Sequence, residues 1–315
     1  MKQRFGTVTF TSWTKFYMLK KKVLLTGSTG LVGSMIRKRL MGAVELFEIC
    51  RSSQTFSDTG QVIESSLEDF VRVQDIFRKV RPDIVIHCAA QIPTSKNPDS
   101  ADLANINAKV DDAVISAIEW IGGSLIYMSS TIVYGNPEFT FDIDENFPVK
   151  ADTYYAAQKI QAEQRIMDNL SNALVLRLNA PYGINMRVDT VLSLFLKKAL
   201  VNDPIRFHGT GQRMQDFTNT KDIAELLFSI INSGGVRSGV YNISAGQPIS
   251  MLDLAKKIIE MTKSQSKIAE SGILDEQENV KASFSIEKAQ RLLNWNPRVA
   301  LEVGIQELML NLREN

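Results

Sequence analysis

Cysteine and histidine are scarce in this sequence, which contains two residues of each. The cysteines, Cys50 and Cys88, are too few for a disulfide framework. Neither lies in a Cys-x-x-Cys or Cys/His spacing typical of zinc sites, so we expect no metal centre. The absence of a disulfide pattern also favours a reducing compartment, and the sequence therefore predicts a cytoplasmic protein.

An excess of charge and a long apolar run are also missing. The 36 Lys and Arg residues nearly balance the 35 Asp and Glu residues, so nothing attracts nucleic acid or an anionic membrane in bulk. No stretch reaches the ~18 apolar residues that suggest a transmembrane helix. We expect no nucleic-acid partner and no membrane insertion. At 315 residues the chain is long enough for one or two domains with a sizeable core.

Residues 1–20 lack the apolar core of a secretory signal. They contain several basic and aromatic side chains, and a second methionine, Met18, stands shortly before the first predicted strand. We predict a disordered N-terminal extension, because termini are rarely ordered unless they are tied down. A transit-like or surface-binding role is the alternative.

Short apolar runs alternate with helical stretches from Lys22 to about residue 180. The runs are continuously apolar, as strands of a parallel sheet are when helices cover both of its faces. Right-handed crossovers would then give an α/β fold with a doubly wound parallel sheet of the Rossmann type. We predict strands at 23–25, 44–50, 84–90, 124–128 and 173–178, and helices at 31–40, 67–80, 105–121 and 154–169.

The pattern of predicted elements changes after about Pro181. Elements become shorter and loops more frequent, as at Gly209-Thr210-Gly211 and Gly234-Gly235. We predict a nucleotide-binding Rossmann domain at residues 21–180. The remainder, 181–315, is predicted to form a smaller and mainly substrate-binding lobe, with some segments returning to the first domain.

A glycine-rich turn lies between the first predicted strand and the first predicted helix. Glycine lets backbone N–H groups and a helix N-terminus approach a pyrophosphate. Such turns are common and the spacing is Gly-x-x-Gly-x-x-Gly, so the motif alone is a weak signal. At this position it predicts dinucleotide binding rather than a plain tight turn. The turn consists of Gly27, Ser28, Thr29, Gly30, Leu31, Val32 and Gly33.

The end of the second predicted strand bears on the choice of cofactor. Proteins that bind NAD usually place an acid there, where it binds the ribose 2′-hydroxyl. Here the strand ends in Cys50, Arg51 and Ser52, and a guanidinium with a hydroxyl suits a 2′-phosphate. Glu48 complicates the choice because it lies on the same strand face as Cys50, and Arg51 could equally be a solvated loop residue. We predict NADP(H), with NAD(H) as the alternative.

Tyr155 and Lys159 are four residues apart in a predicted helix and therefore share one face. A free phenol has a pKa of about 10 and is a poor acid/base group at neutral pH. A neighbouring ammonium, together with an oxidised nicotinamide, would lower the pKa of Tyr155 toward the working range. The spacing alone is weak, because it recurs on many helices where both residues are merely exposed.

The hydroxyl residues Ser129, Ser130 and Thr131 follow the predicted strand 124–128. Ligands of open α/β sheets bind beyond the carboxyl ends of the strands, where a hydroxyl can donate to a substrate oxygen. In isolation this segment would be a serine-rich loop. Its place between the glycine turn and the Tyr/Lys helix makes the joint pattern strong, and we predict Ser130, Tyr155 and Lys159 as the catalytic group.

With these motifs in this order, the chain resembles the extended short-chain dehydrogenase/reductases of the NAD-dependent epimerase/dehydratase family. That family acts largely on nucleotide sugars. The resemblance runs from Lys22 to Glu307. It rests on TGSTGLVG at 26–33, DIVIHCAA at 83–90, YMSSTIVYG at 127–135, YYAAQKIQAE at 154–163, LRLNAPYG at 176–183 and GTGQRMQDFTNTKDIA at 209–224.

The resemblance implies a role for each matching residue. Ser130 corresponds to the catalytic hydroxyl, Tyr155 to the acid/base, and Lys159 to the tyrosine activator that also binds ribose. The family also implies a homodimer formed through the helices of Asn107 and Tyr155. Further cofactor contacts are implied for Leu67, Ala89, Ala90, Asn107 and Pro181, and substrate contacts for Gln91, Thr94, Thr131, Asn179, Arg213 and Gln215.

Two departures from the family pattern limit what the resemblance implies. The family's 4,6-dehydratases carry Asp-Glu after the catalytic hydroxyl, where this chain has Thr131 and Ile132, so we do not expect dehydration. Many nucleotide-sugar enzymes have an arginine directly before an Asp-Phe pair, where it binds the diphosphate. This chain has Gln215 there and Arg213 two positions earlier. Arg213 could still reach a phosphate or could be a surface loop charge.

These observations predict hydride transfer between a nicotinamide and a carbinol or ketone carbon of a sugar. We expect a nucleotide-4-ketosugar reductase. A nucleotide-sugar 4-epimerase with tightly bound NAD uses the same residues and is the first alternative. A non-catalytic NADP-sensing protein is the second, although a sensor has no need of the Tyr/Lys pair. His87 is predicted to be a hydrogen-bonded core residue.

Overall fold

The computed structural model describes residues 20–52, 60–137, 142–186 and 190–314. Most of the predicted extension, residues 1–19, lies outside this part of the chain. The strands are β1 (Lys22–Thr26), β2 (Glu45–Cys50), β3 (Gln61–Glu64), β4 (Ile84–His87), β5 (Ser124–Ser130), β6 (Ala173–Leu178), β7 (Pro181–Tyr182), β8 (Ile205–Phe207), β9 (Met214–Gln215), β10 (Thr218–Asn219), β11 (Gly239–Ile243), β12 (Ile249–Ser250) and β13 (Ile268–Glu270).

Helices connect most of these strands. They are α1 (Leu31–Leu40), α2 (Phe70–Val80), α3 (Ala101–Ile121), α4 (Tyr154–Asn169), α5 (Val191–Leu200), α6 (Thr220–Asn232), α7 (Met251–Thr262), α8 (Glu287–Leu293) and α9 (Leu301–Glu314). No helix in the described ranges combines the length and the apolar character needed to cross a membrane.

Seven parallel strands form the central sheet, in the order β11-β6-β5-β4-β1-β2-β3. The chain winds outward from β1 in both directions, so the crossovers reverse between β1 and β4. In a doubly wound sheet this reversal opens a crevice at the carboxyl ends of the strands, where ligands bind. The predicted fold class is confirmed.

Apolar layers cover both faces of the sheet. Ile36 and Leu40 of α1 pack with Ile223 and Leu227 of α6 in one layer. The other layer joins α2, α3 and α4 to the opposite face, with Phe77 as one of its buried members. Both faces of the sheet are therefore shielded from water, which explains why the strands are continuous apolar runs in the sequence.

The helices α5, α7 and α9 form a third apolar cluster with β7 and β8. β11 lies in the second half of the sequence but pairs with β6 in the central sheet. α6 and α8 also pack against that sheet. The division of the chain near residue 180, with such returning segments, stays our proposal for its domain organisation, as does a homodimer formed through α3 and α4.

Element bounds differ from the sequence prediction where a cap or a turn intervenes. The helix predicted from residue 67 begins at Phe70, because Asp69 Oδ1 accepts a hydrogen bond from the Arg72 N–H at 3.0 Å. α3 begins earlier than predicted, at Ala101, because Ser100 caps it. The strand predicted over 84–90 ends at His87, and residues 88–90 turn toward the carboxyl edge of the sheet.

Candidate active site

Two cavities adjoin at the carboxyl edge of the sheet. The first measures about 460 Å³ and lies between the glycine turn, the end of β2 and the segment after β4. The second measures about 420 Å³ and is lined by the ends of β5 and β6 and by the segments 213–216 and 277–284. Cys88 and Ala90 line both cavities, which therefore form one continuous cleft.

The glycine turn is packed so closely at Gly27 and Gly33 that neither position can take a side chain. A Cβ on Gly27 would lie 2.7 Å from the backbone nitrogen of Ala89, and Gly27 has a φ of 70°. A Cβ on Gly33 would lie 2.1 Å from the carbonyl oxygen of Gly27. Gly30 caps α1 without a side-chain hydrogen bond, so the first N–H groups of the helix stay open to an anion. The turn therefore fits the pyrophosphate of a dinucleotide.

Gly33→Ala should displace this turn, because its new methyl group would overlap the Gly27 carbonyl. We expect the affinity for the nicotinamide dinucleotide that the wild type binds more tightly, NADH or NADPH, to fall by roughly tenfold or more, measured by fluorescence titration. Gly235→Ala is the matched control, since a Cβ there meets no atom within 4 Å. Equal affinity for that dinucleotide in both variants would show that the turn does not bind the cofactor.

The first cavity contains most of the residues predicted to bind cofactor. Leu67 and Asn107 form part of its wall. Asn107 is buried and holds the segment after β4 through both backbone groups of Gln91, accepting from its N–H at 2.7 Å and donating to its carbonyl at 2.8 Å. The predicted residues that line this cavity are Gly27, Thr29, Gly30, Arg51, Ser52, Leu67, Ala89, Ala90 and Asn107.

The end of β2 presents Arg51 and Ser52 to the first cavity. Glu48 does not line it. Its carboxylate is fully buried and forms an ion pair with Arg37, at 3.0 Å from the Nε atom. Glu68 is the carboxylate residue among those that line this cavity, and it belongs to the segment before α2. In the sequence, Glu48 complicated the choice between NADP(H) and NAD(H). Its pairing with Arg37 weakens that objection to NADP(H).

Several predicted contact residues lie elsewhere. Gln91, predicted to contact substrate, lines the first cavity instead, because Asn107 holds its backbone there. Thr94 lines neither cavity and forms a tight turn with Asn97. Leu31 and Gly33 lie in the first turn of α1 and line neither cavity, whereas Val32 and Pro181 line the second cavity.

Tyr155 lines the second cavity at the start of α4. Thr153 caps this helix by accepting from the Ala156 N–H at 3.0 Å. Asp99 accepts from the N–H groups of Tyr154 and Tyr155 at 2.8 and 2.9 Å. The carboxylate satisfies two orphan N–H groups and suits the positive end of the helix dipole. Both caps fix the position of Tyr155 against the cavity.

Lys159 is buried one turn below Tyr155, with its Nζ 5.8 Å from the centre of the Tyr155 ring. Its hydrogen bonds run to the Tyr127 hydroxyl at 2.9 Å and to the Met128 carbonyl at 3.0 Å. Burial raises the pKa of Tyr155 above its ordinary value, Lys159 opposes that effect, and Asp111 adds to it. The sequence predicted that Lys159 and an oxidised nicotinamide together lower the pKa of Tyr155. Lys159 alone does not outweigh the effect of burial.

Ser130 lines the second cavity together with Tyr155. It ends β5, and its Oγ accepts from the Ile132 N–H at 3.3 Å, which begins a short 3-10 turn at Thr131. This bond leaves the hydroxyl hydrogen of Ser130 available to a ligand oxygen in the cavity. Ser129 points to the other side of the strand, where its hydroxyl donates to the buried Glu163.

The substrate end of the second cavity is lined by polar side chains. Thr131 donates to Asn179 Oδ1 at 3.2 Å, and Asn179 Nδ2 donates to Ser244 at 3.1 Å. Gln215 and Asn136 add further amide groups. Such hydroxyls and amides match the hydrogen-bonding groups of a sugar.

Arg213 also lines this end, where its charge is already paired. Its Nε lies 3.0 Å from Asp275, and its Nη1 donates to Gln277 Oε1 at 3.2 Å. Gln277 in turn donates to Asn136 at 2.9 Å. Arg213 is therefore a cavity residue rather than a free surface charge, and a phosphate would have to compete with Asp275 for it.

Sequence reasoning did not find several residues that build the site. Asp99, Tyr127 and Asp111 support Tyr155 and Lys159 from neighbouring elements, and Asp275 pairs with Arg213 from a distant loop. Asp99 caps α4 from more than fifty residues earlier in the chain, so no local sequence signal points to it. Across the described residues, no group of three or more His, Cys, Asp and Glu side chains is arranged to hold a metal ion.

Comparison with known proteins agrees with this geometry. Residues 23–244 match the model of the NAD dependent epimerase/dehydratase family. The chain belongs to that family. The match confirms the resemblance seen in the motifs and the prediction that the chain is an enzyme of the extended short-chain dehydrogenase/reductase type.

The relatives of this chain include enzymes of nucleotide-sugar metabolism. The chain is 26% identical to UDP-glucuronic acid decarboxylase 4 of Arabidopsis thaliana, over 94% of this chain and 70% of that protein. It is 25% identical to dTDP-4-dehydro-6-deoxyglucose reductase of Escherichia coli, over 93% of this chain and 98% of the relative. Its fold is similar to that of UDP-glucose 4-epimerase of Thermotoga maritima, with a TM-score of 0.82, 21% identity and coverage of 93% and 99%.

Proposed function

We propose that the protein is an NADP(H)-dependent reductase of a nucleotide 4-ketosugar. The observation that carries this proposal is that Arg51 and Ser52 line the first cavity at the end of β2, whereas Glu48 is paired with Arg37 and does not line it. A guanidinium and a hydroxyl favour a 2′-phosphate. NADP(H) preference suits a reductase, which takes up reduced cofactor and releases it oxidised in each turnover.

The second cavity supports reduction rather than dehydration. Thr131 and Ile132 line it directly after Ser130, where the dehydratases of the resemblance carry Asp-Glu. A hydroxyl and an alkyl group cannot move the extra protons that dehydration needs. The relatives do not choose between the two reactions, since the chain is 25% identical to dTDP-4-dehydro-6-deoxyglucose reductase of Escherichia coli and 24% identical to dTDP-D-glucose 4,6-dehydratase of Bos taurus.

The chain's own residues would divide the chemistry between them. The nicotinamide, when bound, supplies the hydride. Ser130 would donate a hydrogen bond to the ketone oxygen and stabilise the charge that develops there. Tyr155 would give its hydroxyl proton to the same oxygen, and its raised pKa keeps it protonated for that role. Lys159 would stabilise the phenolate that results; it lines neither cavity and its ammonium donates to Tyr127 and Met128, so the ribose contact that the resemblance implies is not part of this proposal.

The decisive assay follows the loss of NADPH absorbance with dTDP-4-dehydro-6-deoxyglucose and related UDP-ketosugars as probes. We expect turnover that requires added NADPH. Mass spectrometry of the purified protein provides the second readout. Stoichiometric, tightly held NAD would contradict the reductase and favour a 4-epimerase that retains its cofactor. Tight NADPH binding without turnover of any probe would instead favour the NADP-sensing protein.

Arg51→Asp tests the cofactor preference directly. The new carboxylate should repel the 2′-phosphate, so we expect NADPH affinity to fall by roughly tenfold or more while NADH affinity is retained. Fluorescence titration with both cofactors measures the ratio. Arg291→Asp makes the same charge change on α8 and is the control. A wild-type protein that prefers NADH would contradict the role given to Arg51.

A further inference from the structure

Five buried polar side chains form a continuous hydrogen-bonded chain from β1 to α4. Thr26 Oγ1 lies 2.6 Å from His87 Nδ1, and His87 Nε2 lies 2.9 Å from Asp111 Oδ1. The Tyr127 hydroxyl lies 2.6 Å from Asp111 Oδ2 and 2.9 Å from Lys159 Nζ. None of the five is more than 3% exposed. Buried polar groups at this depth need partners, and each of these has them.

The direction of the bonds to Asp111 and Lys159 can be assigned from donors and acceptors. Lys159 only donates, so the Tyr127 oxygen accepts from it and the Tyr127 hydrogen goes to Asp111. A carboxylate only accepts, so His87 carries a proton on Nε2 and donates it to Asp111, while its Nδ1 shares a hydrogen bond with Thr26. His87 is thus a hydrogen-bonded core residue, as the sequence predicted.

Asp111 is ionised in this arrangement. His87, Tyr127 and the side-chain amide of Gln158 all donate to its carboxylate. Burial raises the pKa of Asp111, but the charge of Lys159 and the hydrogen bonds from His87 and Tyr127 outweigh that effect and hold the pKa below its ordinary value. Lys159 and Asp111 are thus a buried charge pair bridged by the hydroxyl of Tyr127.

Other titratable groups around Lys159 cannot take the place of Asp111. Burial raises the pKa of the Cys88 thiol to about 12, so it carries no charge at neutral pH. Glu163, one turn further along α4, is neutralised by Arg177 of β6, with 2.6 Å between Oε2 and Nη2. Tyr155 is protonated at neutral pH because burial raises its pKa.

We propose that Asp111 is the counter-charge of Lys159 and, through Tyr127, a positioning residue for proton transfer at Tyr155. A lysine buried without compensation readily loses its proton, and the carboxylate of Asp111, bridged to Lys159 by the Tyr127 hydroxyl, is the compensating charge. The chain of hydrogen bonds does not carry protons to water, because its far end, Thr26, is fully buried. The proposal rests on the proposed function only in giving Tyr155 the acid/base role.

The charge of Lys159 can be followed by NMR in the cofactor-free protein, without any substrate. Isotope-labelled lysine gives one set of side-chain signals per residue, and Lys159→Met identifies the set that belongs to Lys159. In Asp111→Asn we expect Lys159 to lose its proton at a pH lower by about one unit or more than in the wild type. Equal titration of Lys159 in the two proteins would overturn the proposal.

Two further variants separate charge compensation from damage to the core. Tyr127→Phe removes the bridging oxygen but keeps Asp111, and it should shift the titration of Lys159 in the same direction; it decides the question if Asp111→Asn does not fold. Gln158→Met removes a neutral donor to Asp111 and leaves both charges in place. A shift in Gln158→Met as large as in Asp111→Asn would assign the effect to packing and refute the proposal.

A pH profile then connects this charge pair to turnover. With an active ketosugar probe, Asp111→Asn should move the alkaline limb of kcat to lower pH, in step with the NMR titration. A shifted NMR titration in a protein that reduces no ketosugar would leave the Asp111 assignment standing and contradict the reductase instead. An unshifted NMR titration of Lys159 in a protein that reduces ketosugars normally would refute the Asp111 assignment and leave the reductase standing.

Discussion

Tyr155→Phe should abolish ketosugar reduction while leaving the protein folded and able to bind NADPH. The variant removes the hydroxyl that faces the second cavity and keeps the ring that packs against Lys159. Loss of a positioned acid typically costs a factor of about 10²–10⁴ in rate. We expect kcat to fall within that range, with KM and the NADPH dissociation constant nearly unchanged. Steady-state NADPH oxidation and fluorescence titration measure these quantities.

The neighbouring residue provides the matched control. Tyr154 is capped by the same carboxylate of Asp99, but its side chain is 57% exposed and lines neither cavity. Tyr154→Phe therefore makes the same chemical change one residue away, and its kcat should stay within about twofold of the wild type, as for a surface substitution. A Tyr155→Phe enzyme as active as Tyr154→Phe would remove Tyr155 from the acid/base role.

Local sequence patterns sufficed for the first half of the fold. α1 and α4 have the bounds predicted for them, because each follows a cap or turn that is visible in the sequence. β3 was not predicted, since it is a short, half-exposed edge strand without a continuous apolar run. β11 was not predicted to join the central sheet, because its pairing with β6 depends on contacts far apart in the chain.

The site was predictable to the same extent. Each of the glycine, hydroxyl and Tyr/Lys motifs lies within a short stretch of sequence and can be recognised from its residue spacing. The structure brings Ser130 and Tyr155 to one cavity. Asp111 was not singled out, because it is one of two adjacent acids, Asp111 and Asp112, on an ordinary helix and nothing local shows that it faces Tyr127. Asp275 contacts Arg213 across more than sixty residues. Such partners are set by tertiary packing, which a single sequence does not reveal.

Glu163→Gln should cause a large loss of stability for so conservative a substitution. Glu163 and Arg177 are each 7% exposed, and the Arg177 Nε lies 3.1 Å from both carboxylate oxygens. Removing one charge leaves the guanidinium buried without compensation, which costs about 3–5 kcal/mol. We expect the midpoint of thermal unfolding to fall by several degrees, measured by calorimetry or circular dichroism.

This ion pair also supports the active end of β5. Ser129, next to Ser130, donates to Glu163, and Arg177 donates to the Tyr134 hydroxyl at 2.8 Å. Asp203→Asn is the matched control: its pair with Lys198 is 52% exposed on both sides, and its loss should cost less than about 1 kcal/mol. If Glu163→Gln melts no lower than Asp203→Asn, the Arg177 charge must be compensated by other groups, and the end of β5 does not depend on this pair.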